Sequence, residues 1–377
     1  MKLKRSVLAV GTALAIAAGA TPATAADLTP AQVAGETAVG TVKPLDSQPK
    51  AVTTGEPQSW LEYVDGNTIK AYSVYSPSMD REVPVGVIPA RDAEGNLIEG
   101  APTVYLLNGA GGAEQDSDWF KMTNKLEFYQ NKGVNVVVPQ GGAFTYYADW
   151  LKDDLNTPYL KGPQKWETFI TKELPGPIEA ELKADNRRAI VGFSMSATSA
   201  LLMAEHNPGF YDSVGSFSGC AATSTPIPYQ FLRLTVQRGS GTLNDFNMVT
   251  PEMMYGPMGG SYNRYNDALV NAEKLRGTEL YISTATGLAA ETDMVGYYTG
   301  QGAPYAVGSA NALTLQVEGG AIEAAMNACT HDLRAKLKSL SIPAHYELRN
   351  AGTHSWPGWR EDLEKSWNTT IKPSFDM

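Results

Sequence analysis

The chain has 377 residues and a formal charge of −10, with 30 Lys and Arg against 40 Asp and Glu. So acidic a balance excludes a nucleic-acid binder, which needs clustered cations for phosphate contact, and a protein docked electrostatically on anionic lipid. At 43% hydrophobic and 19% charged residues the composition is that of an ordinary globular protein.

The first residues read as an export signal. Lys2, Lys4 and Arg5 head an apolar stretch from Val7 to Ala20, and Ala23-Thr24-Ala25 offers a small-residue cleavage site. Residues 1–25 are therefore expected to be removed. Their loss takes away three positive charges and no acid, lowering the charge from −10 to −13. The mature protein is expected to be soluble and secreted, either in the cell envelope on the outer side of the plasma membrane or extracellular. Residues 26–58 are rich in Ala, Thr, Pro and Gly and poor in aromatics, which predicts a flexible mature N-terminus. A single catalytic domain is expected over residues 59–377.

Within that domain Thr68–Tyr75 alternates like a half-buried strand, and Val83–Pro89 reads as a second, placed near an edge by its proline. Continuous apolar runs follow at Thr103–Leu107, Val134–Val138, Ala189–Val191, Ser213–Phe217, Leu280–Ile282 and Ala344–Leu348. Such runs mark strands buried on both faces. Helical stretches such as Trp166–Leu174 and Ser196–His206 lie between them. The alternation predicts an α/β fold, a mostly parallel central sheet with helices on both faces. Ala221–Tyr265, rich in methionine, and Met294–Gly320, rich in Gly, Ala and Tyr, fit no strand. They read either as functional loops suited to a greasy ligand or as helices packing their own side chains.

Two motifs carry chemistry. Gly192-Phe193-Ser194-Met195-Ser196 has the shape of a nucleophile elbow between a buried strand and a helix, which makes the expected fold the α/β-hydrolase fold, although the fifth residue is serine where glycine is usual. A serine hydroxyl needs an adjacent base. Of His206, His331, His345 and His354, only His354 follows a late strand on a glycine-containing loop, at the sheet end where active sites gather. The acid is expected between serine and histidine in sequence. Glu291, on the loop after Leu280–Ile282, fits that position, with Asp293 as its competitor. Two backbone N–H groups, those of Met195 and of Ala110 in the Gly109–Gly112 loop, are expected to form the oxyanion hole. The two cysteines, Cys220 and Cys329, suit one disulfide in an exported chain, or two small buried hydrophobes. No metal-ligand spacing occurs, and neither metal nor cofactor is expected.

Several segments together resemble the antigen 85-type mycolyltransferases of the corynebacterial branch. They include Val104–Gly109, Gly141-Gly142, Asp149-Trp150, Lys165–Phe169, Glu173–Pro175, Gly192–Met195, Tyr255–Pro257 and Gly352–Trp356. The resemblance runs from about Trp60 to the C-terminus. It implies a Ser194–Glu291–His354 triad, oxyanion donors at Ala110 and Met195, and Trp356 at the acceptor site. It also implies trehalose monomycolate as acyl donor and a greasy groove near the two long segments. Where trehalose-processing members have Asp-Gly-Leu-Arg, this chain has Asn108-Gly109-Ala110-Gly111, and a sugar-touching asparagine aligns with Met122. Asn108 is thus expected at the substrate. The missing acid and arginine favour the protein O-mycoloyltransferase branch, whose acceptors are serines of small pore-forming envelope proteins. Transfer to trehalose, giving the dimycolate, and simple carboxylester hydrolysis are the alternatives.

Overall fold

Valine-rich runs cannot be satisfied on a surface, and here they lie side by side in one nine-stranded sheet. The computed structural model describes residues 39–241 and 248–377. The expected signal peptide, residues 26–38 of the expected flexible segment and residues 242–247 of the methionine-rich segment lie outside them. The strands are β1 (Thr41–Pro44), β2 (Lys70–Ser76), β3 (Arg81–Ile88), β4 (Thr103–Leu107), β5 (Asn135–Pro139), β6 (Arg188–Phe193), β7 (Ser213–Phe217), β8 (Glu279–Thr284) and β9 (His345–Leu348). Their order is β1-β2-β3-β5-β4-β6-β7-β8-β9. β1, β2, β3 and β5 pair antiparallel, and β5-β4-β6-β7-β8-β9 are parallel throughout.

Side chains alternate across this sheet and feed two cores. Val104, Leu106, Val136, Val138 and Val191 face one way, toward Trp356, Trp359, Leu363 and Trp367. Tyr105, Leu107, Val137 and Ile190 face the other, toward Leu201, Leu202, Leu333 and Leu337. The helices that matter to the site are α1 (Met195–His206), α2 (Val295–Gly300), α3 (Tyr305–Thr314), α4 (Gly320–Ser339) and α5 (Trp356–Ser366). No helix of the described residues is long and apolar enough to cross a membrane.

Two expectations need correction. β3 is an interior strand, not an edge strand. Its register with β5 begins at Val85 opposite Pro139, and beyond that point only the Pro84 carbonyl is used, accepting from Gln140 N–H at 2.8 Å. The missing N–H of Pro84 therefore falls where the ladder with β5 has already ended. The flexible segment was drawn too long: Thr41–Pro44 is a strand on β2, and Lys50 and Pro57 form a bridge. A stretch without aromatics is held there by backbone pairing, which composition does not register.

Cys220 and Cys329 form a disulfide that ties the loop after β7 to α4. Met294–Gly320, left open between loop and helix, is mostly a pair of helices, α2 and α3, running into α4.

Candidate active site

The elbow follows from local sterics. β6 ends at Phe193, and Ser194 stands in a rarely occupied backbone conformation, φ 58° and ψ −124°. The sheet holds it there through Ser194 N–H to the Phe217 carbonyl at 2.8 Å. Strain of this kind costs of order 1–3 kcal/mol and persists only where the surroundings over-determine it. Gly192 is obligatory, since a Cβ there would lie 2.2 Å from the Ser196 carbonyl oxygen. The unusual Ser196 is put to use. Its buried hydroxyl accepts from Phe193 N–H and shares its one proton between the carbonyls of Leu107 and Phe193, each contact 3.0 Å. The elbow is thereby fastened to the end of β4.

His354 arrives from the loop after β9. Its Nε2 lies 2.8 Å from Ser194 Oγ and its Nδ1 2.7 Å from Glu323 Oε2. Serine, imidazole and carboxylate thus stand in one hydrogen-bonded line. The carboxylate is Glu323, not the expected Glu291. Glu291 is exposed in the short turn Glu291–Asp293 and does not meet His354. Between β8 and the acid the chain makes an excursion through α2 and α3. It returns in α4, where Glu323 is buried to 1% side-chain exposure. The sequence signal that marks it is Gly319-Gly320 inside a helical stretch. The Gly320 carbonyl comes so near Gly287 that a Cβ on Gly287 would be 2.3 Å from it, bringing α4 against the active-site loops.

Glu323 is fully committed. Its Oε1 accepts from Ser218 Oγ at 2.8 Å, Thr284 Oγ1 at 2.9 Å and Ala285 N–H at 2.7 Å. Burial alone would raise its pKa. The hydrogen bond and charge of His354, with Ala285 N–H and Ser218, outweigh burial and hold the carboxyl below its ordinary value. Trp359 Nε1–H donates to Ser218 Oγ at 3.1 Å, and its ring stands edge-on to His354. A cavity of about 360 Å³ reaches Glu323 and is walled in part by Glu291, Arg349 and Trp359.

Met195 opens α1, so its N–H has no carbonyl partner within the helix. Ala110 N–H makes no hydrogen bond to other described residues, while the Ala110 carbonyl is fixed by Phe144 N–H at 2.7 Å. The loop carrying Ala110 needs its glycines: a Cβ at Gly109 would lie 2.6 Å from the Phe193 ring, and one at Gly112 2.9 Å from the Gly141 carbonyl.

Asn108, expected at the substrate, is wholly buried. Its carbonyl oxygen accepts from Trp119 N–H at 3.1 Å and its amide donates to Gln140 Oε1 at 3.3 Å. It pins neighbouring loops, because an uncharged amide can be buried there with partners on both sides where an aspartate would lack donors. Trp356 is also largely covered, packed edge-on to Trp119 and Trp359 and tilted against Phe193, with its Nε1–H donating to Ser117 Oγ at 2.9 Å. The other histidines lie elsewhere. His206 bridges Glu167 and the Tyr265 carbonyl at 2.7 and 2.8 Å, and His345 stacks on Tyr281.

A parallel sheet with a strained serine at a strand–helix turn is the architecture of the α/β hydrolases. The chain belongs to the family described as putative esterase, whose model matches residues 76–369. Within it, the relatives are of the antigen 85 type. The diacylglycerol acyltransferase/mycolyltransferase Ag85A of Mycobacterium tuberculosis is 28% identical over 302 residues, covering 79% of each chain. Ag85C of Mycobacterium leprae is 26% identical over 334 residues, covering 88% of this chain and 84% of that one. Among solved structures, M. tuberculosis MPT51 superposes with a TM-score of 0.60 at 22% identity, over 79% of this chain and 95% of its own. A fluorophosphonate-binding serine hydrolase of Staphylococcus aureus, FphF, gives 0.54 at 14% identity, over 81% and 98%. At these identities the structural likenesses speak for the fold.

Proposed function

We propose that the protein is a secreted serine acyltransferase. It moves a mycoloyl chain from trehalose monomycolate, by way of an ester on Ser194, to an acceptor hydroxyl, that of serine in small pore-forming envelope proteins. The observation that carries the chemistry is the line Glu323–His354–Ser194, with contacts of 2.7 and 2.8 Å. The mycolyltransferase relatives support the choice of acyl group.

In the first half-reaction Ser194 Oγ attacks the ester carbonyl of the donor and its proton passes to His354 Nε2. Glu323 holds the Nδ1–H and balances the charge on the imidazolium. The carbonyl oxygen becomes an oxyanion, received by the N–H groups of Met195 and Ala110. The intermediate collapses by breaking the bond to trehalose, whose leaving oxygen takes the proton from His354. In the second half-reaction the acceptor hydroxyl gives its proton to His354 and attacks the acyl-enzyme; the ester bond to Ser194 breaks and the Ser194 oxygen takes that proton back from His354.

A long acyl chain needs apolar surface, at about 0.8 kcal/mol per methylene buried. Leu288 and Met294 in the loops after β8, and Tyr305, Val307, Leu313 and Val317 on the helical segments leading to Glu323, are all exposed. From Met294 to Ile322 the only charged residue is Glu318. The acceptor preference rests on the loop after β4. Asn108 is turned into the protein and Gly111 has no side chain, so the stretch Asn108–Gly111 offers a sugar neither the acid nor the arginine of the trehalose-processing pattern. Each hydrogen bond forgone costs a polyol roughly 0.5–1.5 kcal/mol.

The test is to incubate the purified protein with trehalose monomycolate and a serine-containing pore-protein peptide. Acylated peptide is the expected product. Trehalose dimycolate with unmodified peptide overturns the acceptor assignment, and free mycolic acid alone overturns transfer.

A further inference from the structure

We propose that Asp293 is a positioning residue that fixes the loop carrying the catalytic base. The inference rests on the reading of His354 as that base. Asp293 is completely buried yet forms no ion pair with any described residue. Its Oδ2 accepts from Thr353 N–H at 3.1 Å and Ala290 N–H at 2.9 Å. Its Oδ1 accepts from Thr353 Oγ1 at 2.9 Å and Ser355 Oγ at 3.2 Å.

Three of these four bonds reach across about sixty residues of chain to the two neighbours of His354. Only the bond to Ala290 serves the turn in which Asp293 itself sits. A carboxylate used solely to cap that short turn would face water and bond locally. Here it is sunk between two loops and takes the N–H and hydroxyl of Thr353 and the hydroxyl of Ser355. His354 N–H is held separately, by the Gly319 carbonyl at 3.1 Å. The loop is thus clamped on both sides of the imidazole: Asp293 fixes residues 353 and 355, and Gly319 fixes the backbone of 354 just before α4 delivers Glu323.

The chemical consequence is geometric. The base must keep one nitrogen on Ser194 and the other on Glu323 while its charge changes twice per cycle. A misplacement of about 1 Å at a catalytic group costs on the order of 100-fold. Asparagine at 293 can keep its oxygen on the Thr353 and Ala290 N–H groups, but its NH₂ then faces the hydroxyls of Thr353 and Ser355, which must turn round to accept, and the charge that strengthens all four bonds is gone. Valine at 353 keeps the shape of threonine and removes only the hydroxyl that Asp293 Oδ1 accepts.

The experiment follows hydrolysis of p-nitrophenyl butyrate, whose turnover does not depend on the natural acyl chain or acceptor. It compares Asp293→Asn, the double variant Thr353→Val/Ser355→Ala, and Thr353→Ser, each assayed well below its own melting temperature. The expected result is a fall in kcat of about 10- to 100-fold for the first two with KM within about twofold. The acidic limb of the pH profile, which reports the general base, should move, and Thr353→Ser should stay near wild type. Wild-type kcat and pH profile in Asp293→Asn, with His354→Ala inactive, overturn the clamp and leave the base assignment standing. Loss of ester turnover in Asp293→Asn supports the clamp even where the wild-type enzyme fails to transfer mycolate, so the two readings fail separately.

Discussion

Replacing Glu323 by glutamine is the substitution that most directly separates the acid found in the fold from the one expected in the sequence. Glutamine keeps an oxygen for Ser218, Thr284 and Ala285, so the buried donors around Oε1 stay satisfied. It removes the negative charge that stands 2.7 Å from His354 Nδ1. For charge centres about 4 Å apart, at an effective dielectric of about 20, the lost attraction to the imidazolium is about 4 kcal/mol. That is roughly a 10³-fold fall in kcat, and loss of the correct tautomer extends it toward 10⁴. Glu291→Gln, an exposed change on the cavity wall, should alter kcat by less than about threefold. The assay is ester turnover of both variants at several pH values, with thermal melts to confirm folding. Equal losses in the two variants, or activity of Glu323→Gln within threefold of wild type, would refute the assignment of the acid.

Three further outcomes follow from the packing. Converting both Cys220 and Cys329 to serine should lower stability by up to about 4–5 kcal/mol on the chain-entropy model for a loop of 109 residues, read by denaturant titration. Because Cys329 shares α4 with Glu323, activity should be lost at lower denaturant than in the bridged protein. Glu205→Gln should stabilise the protein. Glu205 is fully buried on α1 with neither oxygen partnered among the described residues, and burial pushes its pKa well above the ordinary value. A raised carboxyl pKa favours the fold below the unfolded value near 4.5 and loses that contribution as pH rises through the folded value. The gain from Glu205→Gln should therefore grow between pH 5 and pH 8, to roughly 1–3 kcal/mol. Ser196→Ala should cost about 1–3 kcal/mol, since Phe193 N–H and the Leu107 carbonyl lose a buried partner; unchanged melting would contradict the role given to that hydroxyl.

The sheet was legible because buried parallel strands are short apolar runs, and Ser213–Phe217 matches its strand residue for residue. Ser194 and His354 were legible because each is announced locally, by an elbow and by a glycine-containing loop after a strand. Glu323 was not. It sits in a long helix, where a glutamate reads as a solvated face, and only the close approach of Gly319-Gly320 to neighbouring loops brings it beneath His354. Asp293, the competitor for the acid, is part of the site's frame and bonds to Thr353 and Ser355 instead of the imidazole. Asn108 shows the converse. Its place where trehalose-processing members of the family carry an aspartate suggested substrate contact, but Trp119 and Gln140 satisfy its amide inside the protein, which no residue pattern reveals. Pro84 misled in the same way, since a proline is barred from an interior strand only where a ladder needs its N–H.

The central claim is a transferable acyl ester on Ser194. Intact-protein and peptide mass spectrometry after exposure to trehalose monomycolate tests it directly. The account predicts one mycoloyl adduct on the Ser194 peptide, absent in Ser194→Ala. On addition of the pore-protein peptide the adduct should disappear and the same mass should appear on the acceptor serine. No adduct, or an adduct that decays to free acid at the same rate with and without acceptor, would contradict it.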